Sequence, residues 1–278
     1  MSIEHKHKKE NAAIDSRSAI AEKRNGSGGS QDSYIEGRNA VLEALRAGMA
    51  IDKIYIAKGE IDATLKHIAS LARSSGAVVS EADRRKLDQM SLTRAHQGVI
   101  ASAACVKYLS VGDILEIARK KGEAPLIVIC DGLTDPHNLG AIIRTSEAAG
   151  AHGVIIPKHR SSGLTAVVAK ASSGAVYHLA IARVTNINAV INELKDAGIW
   201  IFGASAEGGT TLWQADFNRP AAIVIGSEGA GISRLTACNC DVMLRIPMLG
   251  KLASLNASAS AAILLYEAVR QRQLKVES

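Results

Sequence analysis

Three polar or glycine-rich turns in the second half of the chain carry the residue types that could do chemistry. The first, Asp131 to Gly140, runs into a helical pattern that places Arg144 one turn past Gly140. A polar turn opening a helix offers free backbone amides and a forked guanidinium on one side, which suits a phosphate or a developing anion. A helix cap with a surface arginine explains the same pattern. The second turn, Ile225-Gly226-Ser227-Glu228-Gly229-Ala230-Gly231, follows an apolar run. Its glycines allow a ligand close to the main chain, but their G-x-x-G-x-G spacing departs from the G-x-G-x-x-G of dinucleotide sites. A tight turn without a ligand is the alternative. The third, Ile246 to Ser258, brings small and hydroxylated residues to the start of the last helix, where Ser254 or Asn256 makes a good N-cap. Capping alone also explains them.

Other candidates are weaker. Cys238 and Cys240 sit two apart with no second ligand pair, so no metal is expected. His137 and His152 lie near the first turn as possible general bases, with loop structure as the plain reading. Glu207-Gly208-Gly209 and Ser161-Ser162-Gly163 read as loops near the same rim.

These turns need elements to hold them. After Pro125, apolar runs at 126–130, 154–156, 199–202, 222–225 and 242–246 read as strands. Helical patterns fall at 139–149, 164–172, 187–197, 232–237 and 257–273. Continuously apolar strands alternating with helices imply a parallel sheet covered on both faces, and such sheets bind ligands beyond the carboxyl ends of their strands. Upstream, helices at 37–48, 61–75 and 84–90 alternate with strands at 53–57, 77–79 and 98–104, a smaller α/β unit. The division expected is a flexible tail over 1–32, the small domain over 33–108, a charged linker with some helical character over 109–124, and the larger domain over 125–278.

With 278 residues, 47% of them hydrophobic and 22% charged, a folded chain of about two domains is expected. Four cysteines give no disulfide framework, the start of the chain shows no apolar secretory stretch, and no window is long and apolar enough for a membrane span. A cytoplasmic protein is expected. Residues 1–30 hold six Lys/Arg against four acids, and their acids disfavour a mitochondrial presequence. The formal charge of +6 suits a polyanionic partner without requiring one. Aromatics are only 3% of the chain, which argues against a base-stacking platform, so any RNA should be held by phosphate contacts and pockets.

Together and in this order, N-L-G-x-x-x-R (Asn138, Gly140, Arg144), I-G-S-E-G-x-G (Ile225 to Gly231) and I-P-M-x-G-x-x-x-S-L-N-x-S (Ile246 to Ser258) resemble the three motifs of the SpoU family. Its members are S-adenosylmethionine-dependent RNA ribose 2′-O-methyltransferases of the SPOUT superfamily. Residues 34–108, from Ile35-Glu36-Gly37-Arg38-Asn39 onward, look like that family's substrate-binding domain, whose fold resembles a ribosomal RNA-binding protein. Within the family, D-G-L-T-D-P-H-N-L-G and S-L-N-x-S-x-A most resemble the bacterial RlmB type, which methylates a guanosine ribose in large-subunit ribosomal RNA. Transfer RNA is the second substrate class, and an inactive RNA- or ribosome-binding module is the non-enzymatic reading.

The resemblance implies an α/β catalytic domain with a parallel sheet and a deep C-terminal trefoil knot, preceded by the small RNA-binding domain. It also implies a homodimer, binding RNA rather than DNA or a membrane. It further implies that backbone around Gly203, Gly226, Ile246 and Leu255 cradles S-adenosylmethionine, while Asn138, Arg144, Glu228, Ser254 and Asn256 line the reaction centre. Family proposals make Arg144 the base. An arginine is effectively always protonated, so a phosphate-holding or charge-stabilising role suits it better. The identities required at Lys251 and Ala253 are not fixed by the resemblance.

Overall fold

Between Ile51 and Ala57 buried and half-exposed side chains alternate, and this strand sits inside a four-stranded sheet. The computed structural model describes residues 34–59 and 62–277. The tail expected over 1–32 and the helix start expected at Ile61 therefore lie outside the described residues.

The first sheet is built from β1 (Tyr34–Glu36), α1 (Arg38–Arg46), β2 (Ile51–Ala57), α2 (Ala63–Ser74), β3 (Val78–Ala82), α3 (Arg84–Met90) and β4 (Val99–Ala103). Its order is β1-β4-β2-β3, with β4 antiparallel to both neighbours and β2 parallel to β3. One face is covered by α1 and α2, which bury Val41 and Ile68 against Ile54 and Ala101. The opposite face is covered only in part. There Leu87 of α3 packs on Ile100 and Ala82, with Tyr34 and Tyr55 half-exposed beside them.

The stretch expected as a linker is largely α4 (Val111–Lys121). Ser110 and Asp113 form a capping box at its start, Gly122 in the left-handed region ends it, and Val111, Ile114 and Ala118 are buried. Val111 and Ile114 join Ile127 and Ile155 in one core, so this helix belongs to the second sheet. The charges that read as a linker, Arg119, Lys120 and Lys121, lie on its exposed face.

The second half alternates as its apolar runs imply: β5 (Leu126–Asp131), α5 (Pro136–Ala148), β6 (Gly153–Pro157), α6 (Ala166–Ala171), β7 (Ile181–Val184), α7 (Ile187–Asp196), β8 (Trp200–Ala204), β9 (Thr210–Thr211), β10 (Ala221–Gly226), α8 (Arg234–Asn239), β11 (Val242–Arg245) and α9 (Ala257–Glu277). The seven strands run β7-β6-β5-β10-β8-β11-β9, and every pairing is parallel. In β5, Leu126, Val128 and Cys130 enter one core while Ile127 and Ile129 enter the other, so both faces are covered. Near the end of the chain, Arg272 of α9 donates to the carbonyls of Ala124 (2.7 Å), Pro125, Phe217 and Arg219 (3.0 Å each). It ties the last helix to the segments that lead into β5 and β10.

Asp52 and Arg183 join the two sheets. Their side chains are 8% and 7% exposed and meet at 2.8 Å. Tyr108 donates to the same carboxylate at 2.8 Å and accepts from the Leu164 amide at 3.0 Å.

Two features of this frame are testable. A Cβ on Gly140 would lie 2.4 Å from Ala171 Cβ and 3.0 Å from the Ala171 carbonyl carbon, so α5 and α6 touch there through backbone. Alanine would gain about 0.5–1 kcal/mol of helix preference, but overpacking against fixed backbone costs about 1–3 kcal/mol. Gly140→Ala is expected to lower Tm by several degrees in a thermal melt, and an unchanged or raised Tm would refute the contact.

The Glu36 carboxylate accepts from Ser91 Oγ (2.6 Å), Leu92 N (2.6 Å), Thr93 N (3.3 Å) and Thr93 Oγ1 (2.6 Å). Burial alone would raise its pKa, but these hydrogen bonds outweigh burial and bring it from 4.5 to about 2. A carboxylate with a depressed folded pKa stabilises the protein above its unfolded pKa and loses that contribution as pH falls toward the folded value. The Tm difference between wild type and Glu36→Gln should therefore hold constant above pH about 4.5 and shrink between there and about 2. A difference that does not depend on pH over that window would contradict this reading.

Candidate functional site

The carboxyl ends of β5, β10, β8 and β11 open onto the loops at 132–135, 227–233, 205–209 and 246–256, the edge where such sheets hold ligands. A helix start and two loops converge at this edge.

Asp135 caps α5 by accepting from His137 N at 3.0 Å, and Pro136 occupies the first helical turn, so the helix begins three residues earlier than its apolar period suggested. Asn138 consequently sits inside the first turn and is buried. Its amide donates to Asp135 Oδ2 at 2.9 Å and to Glu228 Oε1.

Glu228 is delivered by a tight return. Ser227 and Gly231 exchange backbone hydrogen bonds of 3.0 and 2.9 Å, and any Cβ on Gly226 would lie 2.1 Å from the Gly231 carbonyl carbon. The glycines thus let the chain fold back on itself and push Glu228 toward α5.

Asn256 supplies the third arm. Its Nδ2 donates to Asn138 Oδ1 at 3.0 Å and to Glu228 Oε1 at 2.8 Å, while its Oδ1 caps α9 through Ser258 N at 2.9 Å. Both donors and the acceptor of each asparagine are engaged, which fixes their orientation. Among the described residues Glu228 Oε2 has no partner and remains available.

Beside this cluster lies a cavity of about 480 Å³, in the range of small-molecule sites. Gly226, Glu228, Ile246, Ser254 and Leu255 all line it. The apolar side chains of Ile225, Leu244 and Met248 supply much of the rest. Its two charged lining residues are both carboxylates, Glu207 and Glu228. Glu207 was read only as rim loop, although its place just past the end of β8 marks it by the strand-end rule. Residues 248–255 make no hydrogen bonds among the described residues. Their backbone groups are left to solvent or to a bound molecule.

Gly203 and Arg144 stand elsewhere. Gly203 is not a cavity wall. It lies in β8, where a Cβ would come within 2.6 Å of Met243 Sδ and 2.8 Å of Cys240 Sγ, so strand packing explains it. Arg144 lies nearly two turns along α5 from Asn138, is exposed, and donates to Ser173 Oγ at 3.0 Å. Among the described residues no carboxylate pairs with it.

The histidines are structural or remote. His152 Nδ1 accepts from Leu126 N at 3.0 Å and Nε2 meets Glu123 at 3.0 Å; burial, partly opposed by Glu123, holds its pKa below the usual range. His137 is exposed and outside the cavity. Burial pushes the Cys240 thiol up to about 12, which removes it as a nucleophile at neutral pH.

Comparison with known proteins places the chain in a family. Residues 125–266 match the SpoU rRNA Methylase family, and residues 34–109 match a domain described as RNA 2′-O ribose methyltransferase substrate binding. YacO of Bacillus subtilis, named as a TrmH family tRNA/rRNA methyltransferase, is 44% identical over 242 residues, 87% of this chain and 97% of that protein. The SpoU methyltransferase AviRb from Streptomyces viridochromogenes, solved with the cofactor AdoMet, superposes with a TM-score of 0.56 at 26% identity, covering 87% of this chain and 90% of that one. An AdoMet-bound rRNA methyltransferase from Sinorhizobium meliloti gives 0.54 at 26% identity, covering 86% and 87%. The family match spans just over half the chain and the Bacillus relative is aligned almost end to end, so the chain belongs to the SpoU rRNA methylase family.

Proposed function

We propose that this chain is an S-adenosylmethionine-dependent RNA ribose 2′-O-methyltransferase acting on a guanosine of large-subunit ribosomal RNA. The observation that carries this reading is the meeting of Asn138, Glu228 and Asn256 at the rim of a cavity whose charged walls are both carboxylates. A negative cavity favours a cationic ligand, and the AdoMet bound in AviRb and in the Sinorhizobium enzyme is such a ligand.

When bound, S-adenosylmethionine supplies a methyl group on a positively charged sulfur. Backbone at Gly226, Ile246 and Leu255 would hold it, with Gly203 closing the strand behind. Glu207 and Glu228 complement its charge. Asn138, Glu228 and Asn256 fix the rim, and Ser254, whose hydroxyl has no partner among the described residues, lines the same space. Arg144 stays protonated and acts by charge: it holds a phosphate of the RNA or stabilises negative charge developing on the 2′-oxygen.

The ribosomal substrate is supported by the family description and by the Sinorhizobium enzyme's name. Transfer RNA is the second reading, since the Bacillus relative's name gives both tRNA and rRNA. We further infer a trefoil knot, supported by the intercalation of β10 between β5 and β8 and by the return of the last helix onto α5. A homodimer is supported by Leu249 and Leu252, which are 100% and 75% exposed on the loop over the cavity. The four free thiols fit a reducing cytoplasm.

Radiolabelled methyl transfer to purified ribosomal and transfer RNA tests the substrate. Label in ribosomal RNA is expected, mapped to a guanosine 2′-oxygen, and label confined to transfer RNA would overturn that choice. Absence of calorimetric heat with saturating S-adenosylmethionine would favour an inactive RNA-binding module. In the same assay Arg144→Ala should cut the single-turnover rate about 10²-fold or more while leaving the donor's heat of binding intact, with Arg144→Lys in between. A near-wild-type rate for Arg144→Ala would remove it from the mechanism.

A further inference from the structure

The half-open face of the first sheet gathers positive charge that the fold neutralises only in part. Lys53 of β2 and Lys86 of α3 both lie over the Tyr55 ring, 4.9 and 5.5 Å from its centroid. Two ammoniums are thus held against one ring. Partial burial first, and then the Lys86 charge, keep Lys53 below the ordinary lysine range, with Asp52 offsetting only part of this.

Four of the acids nearby are engaged elsewhere, and a fifth, Glu81 of β3, pairs with none of these cations. Glu36 holds residues 91–93, Asp83 faces Lys58 at 3.3 Å, Asp88 faces His96 at 2.9 Å, and Asp52 is taken by Arg183 and Tyr108. Among the described residues Lys53, Lys86, Arg84 and Arg85 have no carboxylate partner.

The run Arg84-Arg85-Lys86 also fills the first turn of α3, where the helix dipole opposes cations; the N-cap carboxylate of Asp83 faces Lys58 and makes no capping hydrogen bond. All three are exposed. Folding gains nothing from three cations placed there. A polyanion gains a preformed row of contacts.

We propose that the face bearing Lys53, Tyr55 and Arg84–Lys86 is the surface on which the substrate RNA lies, its backbone phosphates meeting these cations. The proposal rests on the RNA-methyltransferase reading. The Tyr55 ring positions the ammoniums, and phosphate contacts set register without reading sequence. Selection of the target nucleotide is left to the cavity rim.

Filter binding of radiolabelled, deproteinised ribosomal RNA across a salt series tests it. The full-length Lys53→Gln/Lys86→Gln protein should bind about tenfold more weakly, and the slope of log K against log salt should fall by about 1–2. Arg84→Gln/Arg85→Gln should behave alike. Lys120→Gln/Lys121→Gln, which removes the same charge from α4, should leave the slope unchanged. Calorimetric binding of S-adenosylmethionine should be equal in all, showing the second sheet intact. Wild-type affinity and slope in both face variants, or an equal loss in the α4 control, would overturn the proposal. Failure of the wild type itself to bind or methylate any RNA would instead overturn the reading beneath it.

Discussion

One carboxylate oxygen organises the candidate site. Glu228 Oε1 accepts from Asn138 and Asn256, residues 90 and 28 positions away, and the two asparagines, 118 apart, bond to each other. Closing such long loops costs conformational entropy, and a triangle of hydrogen bonds at an exposed rim does not offset that cost alone. The buried cores on both faces of the second sheet supply the difference, and the triangle then selects one arrangement of the loop ends. It matters most for residues 248–255, which hold no hydrogen bonds of their own among the described residues. Their position depends on β11 at one end and on Asn256 at the other, where a single side chain both caps α9 and joins the triangle.

This dependence explains what was legible in the sequence. Asn256 and Glu228 could be singled out because a cap and a glycine return each leave a local signature, whereas Asn138 came from the family resemblance, which also supplied the link between the three. Arg144 was placed beside them by the same resemblance. Six residues along a helix turn a side chain by about 240°, so Arg144 cannot share the side of α5 that carries Asn138. Its exposed position suits a bulky partner approaching from outside. Gly203 itself does not line the cavity, though its neighbour Ala204 does, and its missing side chain answers to Met243 and Cys240 within the sheet.

The elements went unread where the chain is short or its signal mixed. Strand β7 hides in an apolar stretch at the sheet edge, β9 has two residues, and β1 has three. No periodicity resolves so few positions. Helix α4 was obscured by its own charges, since a helix that buries only Val111, Ile114 and Ala118 shows the sequence mostly its wet side. What periodicity could not give at all was the joint between the sheets. Asp52 lies at an irregularity in β2, between Ile51 and Lys53, and a buried carboxylate there has meaning only once Arg183 and Tyr108 are beside it.

That joint links the first sheet to the edge that carries the candidate site. Losing one partner of a buried ion pair costs about 3–5 kcal/mol, because the other charge is left without water or counterion. Close packing adds to this: a Cβ at Gly163 would fall 2.1 Å from the Asp52 carboxylate, so the first sheet seats directly under the segment that starts α6. Since α6 packs on α5 through Gly140, a continuous run of close contacts joins the first sheet to the helix that carries both Asn138 and Arg144. The charge pattern follows the same division. Carboxylates line the cavity, while cations without a carboxylate partner among the described residues lie on α3 and, at Arg144, on α5, so the two signs of charge are separated on one chain. The formal charge of +6 averages over that separation, which is why composition alone pointed to a polyanion without saying where it binds.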